Sequence, residues 1–310
     1  MGIFESDSEK LQIILRRCAG TVGLDSPGFC FSGILHKLGE KGFFMKRHSF
    51  FPLFLLLCAV MLLEIHLYSR AGLQKLNRES IRSDWFRAQE TGEEMTAYLK
   101  ELKPEERGEA AGLFLLNQGS GRDWDSRASA WKSRPSWSAF EKASSAVWQD
   151  VQYFPVPRSS SKESRTVSFQ DTWMAERTYG GDRGHEGTDL IASEDTPGLY
   201  PVVSMTDGTV VSKGWLEKGG WRLGILAPSG GYFYYAHLDS YGDVEEGDQV
   251  RAGEILGFMG NSGYGPEGTT GMFVTHLHLG IYLYPDGVET SVNPYWILRM
   301  AEEKKLSCSF

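Results

Sequence analysis

Cysteine is scarce in these 310 residues: there are four, Cys18, Cys30, Cys58 and Cys308. Three stand early in the chain and one in its tail, so neither a disulfide framework nor a cysteine zinc site is supported. Any metal would have to be held by histidine and carboxylate. Basic charge is also in deficit, with 32 Lys and Arg against 40 Asp and Glu and a net charge of −8, which argues against a nucleic-acid partner. Long uncharged apolar runs are nearly absent too. The exception is Phe50–Leu63, preceded by Lys41, Lys46 and Arg47 and followed by Glu64. With its less apolar edge out to Tyr68 it approaches the roughly 20 residues that a bilayer core requires. No small-x-small cleavage site follows it, which favours an uncleaved transmembrane signal-anchor over 45–70 rather than a removed signal peptide. Lys46 and Arg47 put the N-terminus inside and the rest of the chain outside. Residues 1–44 form an N-terminal cytoplasmic segment or a start-site extension, because Met45-Lys46-Arg47 reads as an ordinary start for an exported protein.

Residues 71–167 read as a helical stalk and linker. Helices are expected over Leu73–Gln89 and Thr91–Leu116, the second interrupted at Lys103-Pro104, where proline opens a new helix but cannot continue the old one. Gly119–Pro135 has linker composition, Ser136–Gln149 returns to helical spacing with Trp137, Phe140, Val147 and Trp148 on one stripe, and the Ser-rich Arg158–Arg165 reads as mobile. From 168 to 300 the texture changes to short β-rich runs between glycine turns. Strands are expected at Thr188–Ala192, Tyr200–Met205, Thr209–Lys213, Arg222–Ala227, Tyr232–His237, Ile255–Met259 and His276–Tyr284. Many short strands with tight connections predict a mainly β domain, an antiparallel sandwich or barrel, followed by a tail at 301–310.

The closing strand carries the main signal. In Thr275–Tyr284, His276, His278, Gly280 and Tyr282 fall on one side and Leu277, Leu279, Ile281 and Leu283 on the other. Two imidazoles two residues apart on one surface suit neighbouring roles around a small site. Of the seven histidines, the four in the β region are His185, His237, His276 and His278, set in G-H-E-G-T-D-L, Y-A-H-L and H-L-H. Catalytic zinc takes three protein ligands from His and carboxylate and leaves a position for water. Two imidazoles and one carboxylate leave the ion a formal +1 charge, and further histidines can move protons near neutral pH.

In this order, H-x-x-x-D, Y-A-H-L and H-L-H resemble the lysostaphin-type, LytM-like zinc endopeptidases, over about Asp182 to Trp296 and including Asn293-Pro294. The resemblance implies that His185, Asp189 and His278 ligate Zn2+ and that His237 and His276 form the catalytic pair beside it. It also implies a substrate, the peptides of bacterial cell-wall peptidoglycan, cut in the stem or in a cross-bridge. Together with the apolar run, it gives a single-pass protein of a bacterial cell membrane with its catalytic domain extracytoplasmic. The rival reading is a non-catalytic scaffold, activator or cell-wall-binding domain. Two departures bear on substrate preference: Phe273-Val274-Thr275 precedes H-L-H where a small residue and proline are usual, and Gly280 stands where a Glu is frequent. Glu186 fails as part of an H-E-x-x-H helix, since Asp189 replaces the second His, and reads as exposed. Tyr235 and Tyr282 are candidates to line a groove or to pack, and Asn261, Ser262 and Tyr264 are weaker candidates for substrate contact.

Overall fold

The computed structural model describes residues 50–73, 75–117, 124–125, 127–179 and 181–310. The expected segment at 1–44 and part of the expected linker lie outside them. The chain divides into Met1–His66 and Leu67–Phe310. Helix α1 (Phe50–Leu73) forms over the apolar run. Among the described residues, however, no helix is long and apolar enough to cross a membrane, so the expected transmembrane anchor is not supported. At about 1.5 Å per residue the uncharged stretch Phe50–Leu63 reaches only about 21 Å, short of the roughly 30 Å hydrocarbon core.

The second unit begins with short helices. Leu73–Gln89 is not one helix. Asn77 Oδ1 accepts from Glu79 N at 2.8 Å and starts a 3-10 turn at Arg78–Arg82, and Ser83 then caps α2 (Asp84–Arg87). The break at Pro104 falls where the sequence places it. Lys103 is extended, as a residue before proline must be, and separates α3 (Gly92–Glu101) from α4 (Pro104–Leu116). Then follow α5 (Ala128–Lys132), inside the supposed linker, and α6 (Trp137–Trp148).

These helices are not a solvated spacer. Phe86, Leu99, Ala111, Trp131 and Trp148 are each at most 1% exposed, and they share one hydrophobic core with the β domain. The mixed charges that suggested a stalk occupy outer faces only, while apolar stripes turn inward. One cation does go inside: buried Arg107 donates to Leu99 O (3.2 Å) and Val151 O (3.0 Å), satisfying a carbonyl near the end of α3. Trp148 Nε1 donates to the buried Gln89 Oε1 at 2.7 Å.

The Ser-rich segment is likewise fixed. β1 (Arg158–Ser159) pairs in parallel with β14 (Ser307–Cys308), so the C-terminal tail holds down the stretch expected to be mobile. A hairpin of β3 (Glu176–Arg177) and β4 (Arg183–Gly184) lies outside the main sheet. That sheet is antiparallel and runs in the order β10 (Gln249–Val250), β7 (Gly208–Leu216), β8 (Gly220–Leu226), β9 (Tyr232–Tyr241), β12 (His276–Leu283), β5 (Thr188–Ala192), β2 (Val167–Ser168). Off this path, β11 (Ile255–Met259) pairs with β6 (Pro201–Val203) and with β9, and β13 (Thr290–Val292) with β12. The expected antiparallel β domain is there. Two further elements, β13 and α7 (Tyr295–Ala301), are not among the expected ones, and both contact the N-terminal helices.

Strand β9 changes partner along one edge: Tyr232–Ala236 pair with β12, and Leu238–Tyr241 with β11. His237 sits at the switch, with φ +62. Phe233 and Tyr235 face the core, and strict alternation would send residue 237 there as well. The left-handed residue slips the phase, so Leu238 is buried instead and His237 joins the opposite face.

If the helices belong to the same cooperative unit, Trp148→Ala should lower unfolding free energy by about 3–5 kcal/mol in urea titrations of the full chain. A loss under about 1 kcal/mol would restore the spacer.

Candidate metal centre and catalytic cleft

Pairing of β12 with β5 sets His278 directly opposite Asp189, and His276 opposite Ile191. The β3–β4 hairpin delivers His185, whose backbone N–H donates to Ala175 O at 2.9 Å. Three atoms then face one another: His185 Nε2 lies 3.0 Å from His278 Nδ1 and 3.1 Å from Asp189 Oδ1, and His278 Nδ1 lies 2.9 Å from the same oxygen. They form the one group of ligand-type atoms close enough to hold a metal ion among the described residues. His185 Nδ1 lies 2.9 Å from Thr172 Oγ1 and 3.3 Å from Thr172 O. The carbonyl takes the Nδ1 proton, which leaves a lone pair on Nε2 aimed at its two neighbours. A tetrahedral zinc with bonds of about 2.0–2.1 Å has ligand–ligand edges near 3.3 Å, so this donor set fits the ion that the motifs imply.

The supports are specific. Asp189 Oδ2 accepts from Arg177 Nη2 at 2.7 Å, leaving Oδ1 for the cluster. Asn293 Nδ2 donates to Asp171 Oδ1 at 3.1 Å, fixing the segment that carries Thr172. Burial opposes charge on Asp189, but the close ring nitrogens of His185 and His278 and the neighbouring His276 prevail and hold its carboxyl well below the usual carboxylate range. Gly187 is sterically required: a Cβ there would lie 2.4 Å from His278 Cε1.

His237 and His276 stand beside this triangle, their rings 4.7 Å apart. His237 Nδ1–H donates to Ser262 O and His276 Nδ1–H to Val274 O, each at 2.8 Å, so each Nε2 is left as an acceptor. His276 Nε2 lies 3.8 Å from Asp189 Oδ1. Burial pushes both imidazoles below their ordinary value, and for His237 the neighbouring His276 and His278 add to the effect. Phe273 packs edge-on against both rings, at 4.6 and 4.9 Å; the unusual residue before H-L-H thus forms an apolar wall over the pair.

The five residues line one cleft of about 580 Å³. Of the weaker candidates, Tyr282 and Tyr264 also line it, whereas Tyr235 is core, its hydroxyl accepting from Met205 N at 2.9 Å. Ser262 is buried and orients His237, and Asn261 Oδ1 accepts from Gly271 N at 3.1 Å and does not line the cleft. Glu186 borders the cleft but pairs with Arg87 Nη2 at 2.9 Å, away from the metal triangle. A Cβ at Gly280 would meet the Tyr282 ring at 2.7 Å, which accounts for glycine at that position. Thr172 and Arg177 carry no local signature; they matter only through where the fold puts them.

A family model described as peptidase family M23 matches residues 183–294. The L-Ala--D-Glu endopeptidase of Bacillus subtilis is 42% identical over 150 residues, 48% of this chain and 43% of that protein. The glycyl-glycine endopeptidase ALE-1 of Staphylococcus capitis is 30% identical over 115 residues, 34% of this chain and 30% of that protein. The chain therefore spans less than half the length of these curated relatives. A Ruminococcus gnavus crystal structure, described as a candidate glycyl-glycine endopeptidase lytM, is 48% identical with a TM-score of 0.71, covering 77% of this chain and 98% of that one. That match extends well beyond 183–294.

Gly187→Ala should lower zinc retention several-fold without removing a ligand, because the methyl group displaces the His278 ring. Elemental analysis after dialysis reads this, and full retention would show that the ring has room to move.

Proposed function

The chain belongs to peptidase family M23, and on that premise we propose that it is a zinc-dependent endopeptidase hydrolysing peptide bonds of bacterial peptidoglycan. The observation that carries this is the convergence of His185, Asp189 and His278 on one point beside two neutral imidazoles in an open cleft. A zinc ion held by those three residues supplies a Lewis acid for a water molecule and the scissile carbonyl. His237 and His276 supply the proton chemistry. Each keeps its Nε2 lone pair available because a backbone carbonyl holds the other nitrogen's proton.

One of the pair accepts the proton that water releases as its oxygen bonds to the carbonyl carbon. The imidazolium so formed faces the oxyanion and donates a hydrogen bond to it. Burial disfavours keeping that charge, so the proton passes on to the leaving amine as the C–N bond breaks. Phe273 keeps bulk water from both rings, and Arg177 holds Asp189 oriented throughout. A scaffold role is not favoured, since all five polar residues are in place.

Peptidoglycan lies outside the cytoplasmic membrane, and action there is part of this proposal. The apolar side chains that α1 exposes, among them Leu56 and Leu62, support association with the membrane on that side.

Mass spectrometry of fragments released from defined peptidoglycan, with and without chelator, tests the reading: chelator-sensitive cleavage of a peptide bond is expected, and its absence from zinc-loaded protein would overturn it. His278→Ala should abolish zinc retention, whereas His276→Ala should keep zinc and lose about 10²–10⁴-fold in turnover. Equal zinc loss in both would show the roles to be misassigned. Because His237 takes a proton only below the ordinary value of 6.5, kcat/KM should hold as pH falls to that value and decline only below it. Folding stability should fall over the same range, since the unfolded chain gains that proton first. An acid limb centred at or above the ordinary value would contradict the neutral pair.

A further inference from the structure

One cleft-lining group has no part in this chemistry. Arg222, on β8, lines the cleft, and its Nε and Nη1 are both buried without a hydrogen-bond partner. The carboxylates nearby are engaged elsewhere, Asp189 with Arg177, Glu186 with Arg87, and Glu289 with the hydroxyl of Tyr284, and Arg183, another guanidinium of the cleft, has one nitrogen without a partner, Nε, against two on Arg222. Guanidinium nitrogens buried with their donors unsatisfied are unfavourable unless an acceptor arrives, and the acceptor that matches the planar fork is a carboxylate.

The sheet register says where that acceptor would lie. Trp221 pairs with Leu238 and Leu223 with Tyr235, so Arg222 stands opposite Ala236 and His237, while His278 pairs with Ala236 from the other edge of β9. Leu223 and Ile225 point into the core, which puts Arg222 on the same face as Tyr234 and His278. Two strand spacings separate it from β12, about 10 Å, or about three residues of extended peptide.

We propose that Arg222 is a specificity residue that binds a free carboxylate on the peptide substrate within about three residues of the scissile bond. The inference rests on the endopeptidase reading and deepens it. It selects an acidic stem peptide over a glycine bridge, whose interior residues offer no side-chain carboxylate.

The test uses full-length zinc-loaded protein and pairs of peptides identical except for carboxylate or carboxamide at positions flanking the cut. The wild type should favour the acid by at least about tenfold in kcat/KM. Arg222→Gln should bring that ratio close to one with zinc content unchanged, and Arg183→Gln, altering another guanidinium of the cleft, should leave it intact. Where Arg222→Gln does not fold, Arg222→Lys, which keeps the charge but not the planar fork, should lower the ratio. No acid preference in the wild type, an unchanged ratio at Arg222→Gln or its Lys substitute, or loss of the ratio at Arg183→Gln would overturn the assignment. Calorimetric binding of the same peptides to His276→Ala, with and without Arg222→Gln, separates the two proposals. Acid-selective binding that depends on Arg222 without any cleavage by the wild type would sink the peptidase and leave the carboxylate site standing. Binding indifferent to the carboxylate would sink the site.

Discussion

The candidate site depends on one register: His278 on β12 lies directly across from Asp189 on β5. Side chains alternate along a strand, so a slip of one residue would turn His276 and His278 into the core and bring Leu277 and Leu279 to the cleft. Four fully buried or nearly buried residues, Leu277, Leu279, Ile281 and Leu283, resist that slip. The apolar face of β12 thereby positions the polar face. Core burial, which is non-directional in itself, becomes directional through the pleat, and the ligand geometry inherits its precision.

This explains what could be read from the sequence. Alternation in Thr275–Tyr284 by itself places both histidines on one surface, and the strands expected at Thr188–Ala192 and Ile255–Met259 fall at the same residues in the structure. The pairing partner of each strand was not legible, because it is decided by contacts far apart in the chain. Nor was the phase slip at His237: by period two it belongs with Phe233 and Tyr235, and only the left-handed backbone at the change of partner returns it to the cleft. The helices misled for a related reason. Mixed charge along α3 and α4 is what a stalk would show, but it is equally what the outer face of a packed helix shows, and composition does not distinguish the two.

The two imidazole roles are separated by their hydrogen bonds. His185 and His278 point ring nitrogens at a shared carboxylate oxygen, an arrangement that suits a cation. His237 and His276 instead give their Nδ1 protons to backbone carbonyls and rest against Phe273. A main-chain carbonyl fixes a tautomer without adding charge, and an apolar ring removes solvent without offering a partner. The pair therefore stays neutral, with its Nε2 lone pairs open, beside a cluster suited to a cation. Placing a carboxylate behind either ring would stabilise its imidazolium and hold a proton there more tightly.

The helical layer takes part in this arrangement. Arg87 of α2 donates to Glu186 Oε1, to Ser291 Oγ and to Ser291 O, joining the residue after His185 to strand β13. From the other side, Asn293 holds Asp171, and the adjacent Thr172 holds His185. His185 comes from a two-stranded hairpin outside the main sheet, so neither sheet register nor core packing alone would fix it. These two chains of polar contacts supply what the pleat supplies for His278 and Asp189. One candidate metal ligand thus owes its place to residues about a hundred positions away on either side, and a β domain cut free of its helices would keep two of the candidate ligands in register while losing part of the support for the third.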